Sequence, residues 1–333
     1  MKKYLSLLLA LCMIFSLCAV SASAEELKPV ELIVSITAAD NKDGSTGEAL
    51  HVLKDYVEEA SNGLITLDCY WGNALYAQDA ETAAVTAGDI FMTFSGSAWL
   101  TDGSPWVSMF ASGFFFRDLE HMNNILNGEI GKEVFQKIAD EQGILPLGAF
   151  YTGERAISLN VDRCVQSRED LADINLRMPS SEAWMFMGEA LGSHPTAINY
   201  SDLYLALQTG TVDGQDNAIS AMIIGSFAEV QKSLTATGHV IDSVWPTVNL
   251  AMWNDLPEQY RTWILEGVEA TRAWIEESTI KGQKEYEEQV IEKGLSVYHI
   301  DTTEFAKSVQ DYYLNSDYSN TWDMDLYEKI QGM

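Results

Sequence analysis

Apolar and polar positions fall into blocks along the chain. "PVELIVSITAA" (29–39) is a short apolar run rich in β-branched residues and predicts a buried strand. "GEALHVLKDYVEEASNG" (47–63) has the helical period and a glycine stop, and "LITLDCYW" (64–71) predicts a second strand. "QDAETAAVTAGDIFMTFSGSAW" adds a helix stopped at Gly88 and a third strand ending near Phe94. Strands alternating with helices in this way predict a mostly parallel sheet with helices on both faces, the α/β class.

The pattern then continues with two helices (118–143), a strand "ILPLGAFY" (144–151), and a short run "ISLN". Ser167 and Asp170 have the spacing of a capping box at the start of "SREDLADI". "INLRMP" (174–179) predicts a short strand stopped by Pro179, and "SSEAWMFMGEALG" (180–192) a helix capped by Ser180 or Ser181. From about Pro257 to Lys293 a single helical pattern persists, with Gly282 a point where it can bend. Such a helix is longer than one small domain, so it predicts an element shared by two lobes. With no Pro-rich linker in the chain, strands are expected to cross between those lobes and leave a cleft.

One stretch breaks the pattern. In "YLALQTGTVDGQDNAISA" (204–221) a helix stops at Gly210, yet Gln215, Asp216 and Asn217 stand directly before another apolar run. Three hydrogen-bonding side chains between two segments that look buried need a reason.

Charge and targeting narrow the function. The first residues carry two lysines, then an apolar run, then Ala22-Ser23-Ala24, the layout of a cleavable secretory signal covering residues 1–24. Cys18 is the residue a lipid anchor would use, but Leu17 precedes it where a small residue is usual. No later segment is apolar enough to cross a bilayer. The formal net charge is −29 and becomes two units more negative once Lys2 and Lys3 leave. This surface repels nucleic acid and anionic lipid. Cys69 and Cys164 remain after cleavage and have no metal-ligand spacing, so the reading is two buried free thiols.

Catalytic signatures are missing. The five histidines, His51, His121, His194, His239 and His299, form no zinc-hydrolase motif. There is no G-x-S-x-G elbow, P-loop or dinucleotide fingerprint, and no cofactor is implied. A secreted carbohydrate-active enzyme stays as an alternative because of nine tryptophans.

In so acidic a chain an anionic ligand needs local arginines, and there are only seven. Arg177 ends the strand "INLRM" just before a helix N-terminus, where open α/β sheets place ligands. It can grip a carboxylate with two parallel hydrogen bonds, or form a surface ion pair with Asp170 or Asp173. Arg155 follows "ILPLGAFY" where the first lobe ends, and can face the cleft or pair with Glu154 or Asp162. Arg163 and Arg168 read as solvated among loop acids.

Residues 176–217, "LRMPSSEAWMFMGEALGSHPTAINYSDLYLALQTGTVDGQDN", resemble the signature region of the substrate-binding proteins of TRAP (tripartite ATP-independent periplasmic) transporters. The shared features are the strand ending Arg-x-Pro, "ALG" followed by Pro-Thr, the "YLALQTG" helix and "VDGQDN". The resemblance extends more weakly from Glu31 to about Pro257. It implies a two-lobed, periplasmic-binding-protein-like (type II-like) α/β fold that closes on an organic acid. The expected division is lobe I from 25–152 and 243–282, and lobe II from 153–242 and 283–333. The implied partners are a small-molecule carboxylate and TRAP membrane permease subunits, the protein itself acting as a periplasmic monomer without enzymatic activity. A ligand-sensing subunit of a membrane receptor is the alternative on the same fold. The resemblance puts the carboxylate contact on Arg177, a further ligand contact on Asn217 and support on Arg155. Tyr200 and, less directly, Trp99 become pocket walls. It also sets "NALYAQDAETAAV" against a sialic acid ligand, since alanines stand where some members carry a ligand-facing glutamate. A uronate, a dicarboxylate or an aromatic acid all remain open.

Overall fold

The computed structural model of the protein describes residues 27–333; the expected signal segment lies outside the described residues. The first lobe opens with β1 (Val30–Ser35), α1 (Thr46–Ala60), β2 (Ile65–Tyr70), α2 (Glu81–Ala87) and β3 (Met92–Ser95). Here β1 pairs in parallel with both β2 and β3, as the alternation of blocks predicts. Gly88 ends α2 in the left-handed region at φ 82°. Two helices follow, α3 (Leu119–Leu126) and α4 (Glu129–Gln142).

β4 (Ile144–Pro146) and β5 (Phe150–Leu159) then replace the single strand predicted over 144–151. β5 runs ten residues, through "GERAISL", so Arg155 lies within a strand rather than after one. Gly153 sits in it at φ 113°, a conformation L side chains rarely adopt.

The second lobe contains β6 (Asn175–Met178), α5 (Glu182–Ala190), β7 (His194–Ala197), α6 (Leu203–Thr209), β8 (Gly214–Ala218), α7 (Ile219–Ile224) and β9 (Ser233–Ala236). The capping box of Ser167 and Asp170 forms, on a single 3-10 turn, and Ser181 is the cap of α5. The chain returns through β10 (Ile241–Asn249), α8 (Leu250–Asp255) and α9 (Glu258–Glu292), then ends with β11 (Ser296–His299), α10 (Thr303–Leu314) and α11 (Met324–Gln331).

The sheet runs β2-β1-β3-β10-β5-β8-β6-β7. Its two middle strands serve both lobes. β10 pairs antiparallel with β3 through Trp245–Val248 and with β5 through Ile241–Val244, with a register shift at Asp242/Ser243. α9 is continuous for 35 residues, about 52 Å at 1.5 Å per residue, and Gly282 does not break it. Its buried positions, among them Ile264, Val268 and Ile275, pack on the Leu50, Leu53 and Val57 face of α1. The C-terminal tail also touches both lobes. β11 pairs with β9, while Gln331 Nε2 donates to Phe115 O at 2.9 Å. Cys69 and Cys164 are free and half-buried, so the fully buried expectation gives way to partial exposure.

Candidate functional site

β8 explains the polar stretch. Gly214 is the first residue of the strand: a Cβ there would lie 2.3 Å from Ser158 O on β5, so only glycine lets the two strands meet. Alternation then points successive side chains to opposite faces. Gln215 is buried and donates from Nε2 to Ser158 Oγ at 3.1 Å. Asp216 is fully buried and forms an ionic cluster. Arg155 Nε donates to its two carboxylate oxygens at 2.8 and 3.0 Å, and Arg155 Nη2 to its backbone oxygen at 2.8 Å. His239 Nε2 lies 2.9 Å from Asp216 Oδ1, and its other ring nitrogen 2.6 Å from Thr237 Oγ1. Arg155 Nη1 reaches Asp242 at 2.6 Å, and its guanidinium stacks 4.4 Å from the Trp184 ring. The predicted partners Glu154 and Asp162 are therefore not the ones Arg155 uses.

Electrostatics follow from that packing. Burial works against the Asp216 charge, but Arg155 and His239 outweigh it and hold the carboxyl well below the usual carboxylate range. Burial likewise opposes the Arg155 charge, and Asp216 and Asp242 reverse the effect. This cluster is internally compensated.

Arg177 is different. It is 1 % exposed, and its Nε donates to Ile198 O at 2.8 Å, while Nη2 is buried without a hydrogen-bond partner. Neither aspartate proposed as a surface partner reaches it. Asp170 is used in the capping box, and Asp173 pairs with Arg163 at 2.6 Å. Arg163 is thus paired rather than merely solvated. Burial and the nearby Arg155 charge lower the pKa of Arg177 to about 9, which still leaves it charged at neutral pH. An uncompensated buried cation is costly unless something supplies its counter-charge.

Beside this cation lies a cavity of about 280 Å³ between the lobes, at the small end of ligand pockets. Three of the residues expected at the site line it. Trp99 stands on the 3-10 turn directly after β3, Tyr200 on the turn after β7, and Asn217 projects from β8. Arg155 and Arg177 do not line it; Arg155 is bonded to Asp242, which does, and Arg177 is within electrostatic range of Tyr200, which does. Asn217 Oδ1 accepts from Ala218 N at 3.1 Å. Tyr200 also ties the lobes together, its backbone N–H donating to Gln78 Oε1 at 3.4 Å.

Glu81 was not anticipated. It belongs to "NALYAQDAETAAV", the segment read as lacking a ligand-facing glutamate, yet it lines the cavity and is 3 % exposed. The signal for it was positional: Glu81, Ala84 and Val85 share the buried face of α2. Burial pushes its carboxyl up to about 7, and hydroxyls of Ser35, Thr37 and Thr93 only partly offset that. Other hollows suit an anion less. One of about 50 Å³ near Gly153 and Tyr286 is too small. A groove of about 760 Å³ is walled by Asp79, Asp102, Glu141 and Glu182, whose charges repel an anion.

Two lobes joined by shared strands, with a cavity between them and a buried, unsatisfied cation close to one of its lining residues, define a solute-binding protein. A family model described as "Bacterial extracellular solute-binding protein, family 7" (DctP) matches residues 36–319. The chain belongs to that family, the periplasmic solute-binding proteins of TRAP transporters; it is a binding protein and not an enzyme. A solute-binding protein of Verminephrobacter eiseniae is 29% identical over 281 residues, 83% of this chain and 82% of that protein. The sialic acid-binding periplasmic protein SiaP of Vibrio cholerae is 26% identical over 267 residues, 80% and 82% of the two chains. Among solved structures, a TRAP periplasmic solute-binding protein of Roseobacter denitrificans with bound 3-deoxy-D-manno-oct-2-ulosonic acid superposes with a TM-score of 0.85 at 29% identity. That match covers 92% of this chain and 99% of the other.

Proposed function

We propose that the protein captures a small organic acid in the inter-lobe cavity and delivers it to a TRAP membrane permease, acting as a monomer. The observation that carries this reading is the unpartnered Nη2 of the buried Arg177 beside the cavity. A carboxylate entering there supplies the missing counter-charge and accepts a charge-assisted hydrogen bond. The relatives of known ligand support the class, since sialic acid and 3-deoxy-D-manno-oct-2-ulosonic acid are both carboxylates.

In this reading Asn217 adds an amide contact, and Trp99 and Tyr200 form the flat walls. Arg155 acts as a positioning residue, because every one of its nitrogens already has a protein partner. The wall between Arg177 and the cavity rearranges as the lobes close, the hinge motion of two-lobed binding proteins. The test is calorimetric titration with a panel of sugar acids and dicarboxylates, repeated on Arg177→Met. Binding of an acid by the natural chain and its loss in the variant is the expected result. Unchanged affinity in Arg177→Met, or no response to any acid, overturns the proposal.

A further inference from the structure

The lining of the cavity has a composition that bears on which acid fits. Glu81 is held there by hydroxyl groups alone. Ser35 Oγ donates to Oε1 at 3.0 Å, and Thr37 Oγ1 and Thr93 Oγ1 donate to Oε2 at 3.1 and 3.2 Å. These fill three of the roughly four acceptor positions of a carboxylate and leave one, on Oε1, for a further donor. Among the described residues lining the cavity there is no lysine, arginine or histidine; the charged ones are Glu81 and Asp242. Asp242 is occupied, its two oxygens accepting from Arg155 Nη1 and from Ser243 N. Trp99 and Phe94 supply apolar surface to the same cavity.

Arg177 is on β6 of the second lobe and Glu81 on α2 of the first, so in this reading a ligand whose carboxylate meets Arg177 turns its other end toward Glu81. A second carboxylate there would find no cation, and Glu81, part-ionised near neutral pH, would have to take up a further proton before the two acids could sit side by side. An unsubstituted alkyl chain would leave the open acceptor of Glu81 desolvated and unpaired. A hydroxyl group does neither, since it donates to the open position and carries no charge. Its ring or carbon chain can lie on Trp99.

Building on the carboxylate reading, we infer that Glu81 selects for a hydroxylated monocarboxylate, a sugar acid, and against dicarboxylates, by accepting a hydrogen bond from a hydroxyl at the ligand's far end. Glu81 is then a specificity-determining residue distinct from the carboxylate-binding group.

The experiment is calorimetry on the full mature chain with aldonates and uronates (D-gluconate, D-galactonate, D-glucuronate, D-galacturonate), hexanoate, succinate and 6-aminohexanoate. It is repeated with Glu81→Gln, whose near-identical shape fits the same hydroxyl cluster once the hydroxyls facing its amide nitrogen turn to accept, and whose folding is verified by melting. At least one sugar acid is expected to bind 100-fold more tightly than hexanoate or succinate. In Glu81→Gln the preference for that sugar acid over succinate should shrink at least tenfold, a ratio that a purely structural role would leave alone. Succinate or 6-aminohexanoate equalling the best sugar acid in the natural chain overturns the inference and leaves carboxylate capture standing. So does an unchanged ratio in Glu81→Gln. If none of the acids binds, carboxylate capture falls with it.

Discussion

Arg155 on β5 and Asp216 on β8 are diagonal neighbours across an antiparallel pair, Arg155 standing opposite Ala218 and Asp216 opposite Ile157, and the guanidinium Nε donates to both carboxylate oxygens. Neither is more than 7% exposed. Removing one partner strands the other charge, at a cost of about 3–5 kcal/mol. Asp216→Ala is therefore expected to lose that much stability in urea unfolding, whereas a surface aspartate such as Asp311 replaced by alanine should lose under about 1 kcal/mol.

The same carboxylate sets an acid limit. The Asp216 carboxyl is held below its ordinary value, so its contribution is complete above the unfolded value of about 3.9 and disappears as pH falls through the lower folded value. Stability measured below pH 4 should drop steeply in the natural chain and more gently in Asp216→Asn.

Glu81 predicts the opposite trend. Its folded pKa, about 7, lies above the ordinary value of 4.5, so the folded state holds a proton that the unfolded chain releases first. Stability assigned to Glu81 is complete below about pH 4.5 and is lost as pH rises to about 7, by up to roughly 3 kcal/mol. The difference in melting temperature between Glu81→Gln and the natural ligand-free chain should grow in favour of the variant across that interval. A constant difference from pH 4.5 to 7.5 would contradict it.

Arg177→Met should separate binding from folding. The substitution removes a buried cation with an unpaired nitrogen, so the ligand-free variant is expected to be at least as stable as the natural chain by urea unfolding. Affinity for the acid should fall at least 100-fold, corresponding to about 3 kcal/mol. Equal losses in both measurements would make Arg177 a structural residue.

The walls predict smaller effects. Tyr200 packs edge-on against Phe227, with centroids 5.7 Å apart. Tyr200→Phe keeps that contact and is expected to bind within a few-fold of the natural chain, while Tyr200→Ala should lose about 2 kcal/mol of binding through lost contact area.

Much of this was legible in the residues, and the exceptions share a cause. Strand and helix blocks, the stops at Gly88 and Gly210, and the caps at Ser167 and Ser181 follow from local rules and appear where the pattern predicts them. Arg155 was misjudged because its partners, Asp216 and Asp242, lie 61 and 87 residues away, and only the pairing of β5 with β8 and β10 brings them together. Neighbouring acids such as Glu154 were the visible choice. Glu81 was hidden differently: in a chain of 49 acidic residues, one buried carboxyl has no compositional mark, and its three hydroxyl partners come from two strands and the loop after β1. The burial of Arg177 was also illegible, since position alone left a surface ion pair equally open.

The shared strands have a consequence for how the molecule is made. β3 waits for β10, some 150 residues later, to acquire its second neighbour, and β5 needs the same strand on its other edge. Contacts so distant in sequence slow folding, and they leave each half with an unfinished sheet edge until the chain has come back. Neither half is therefore an autonomous folding unit. In calorimetry the molecule should melt in one transition, and a chain cut short before Ile241 should fail to give a soluble first lobe.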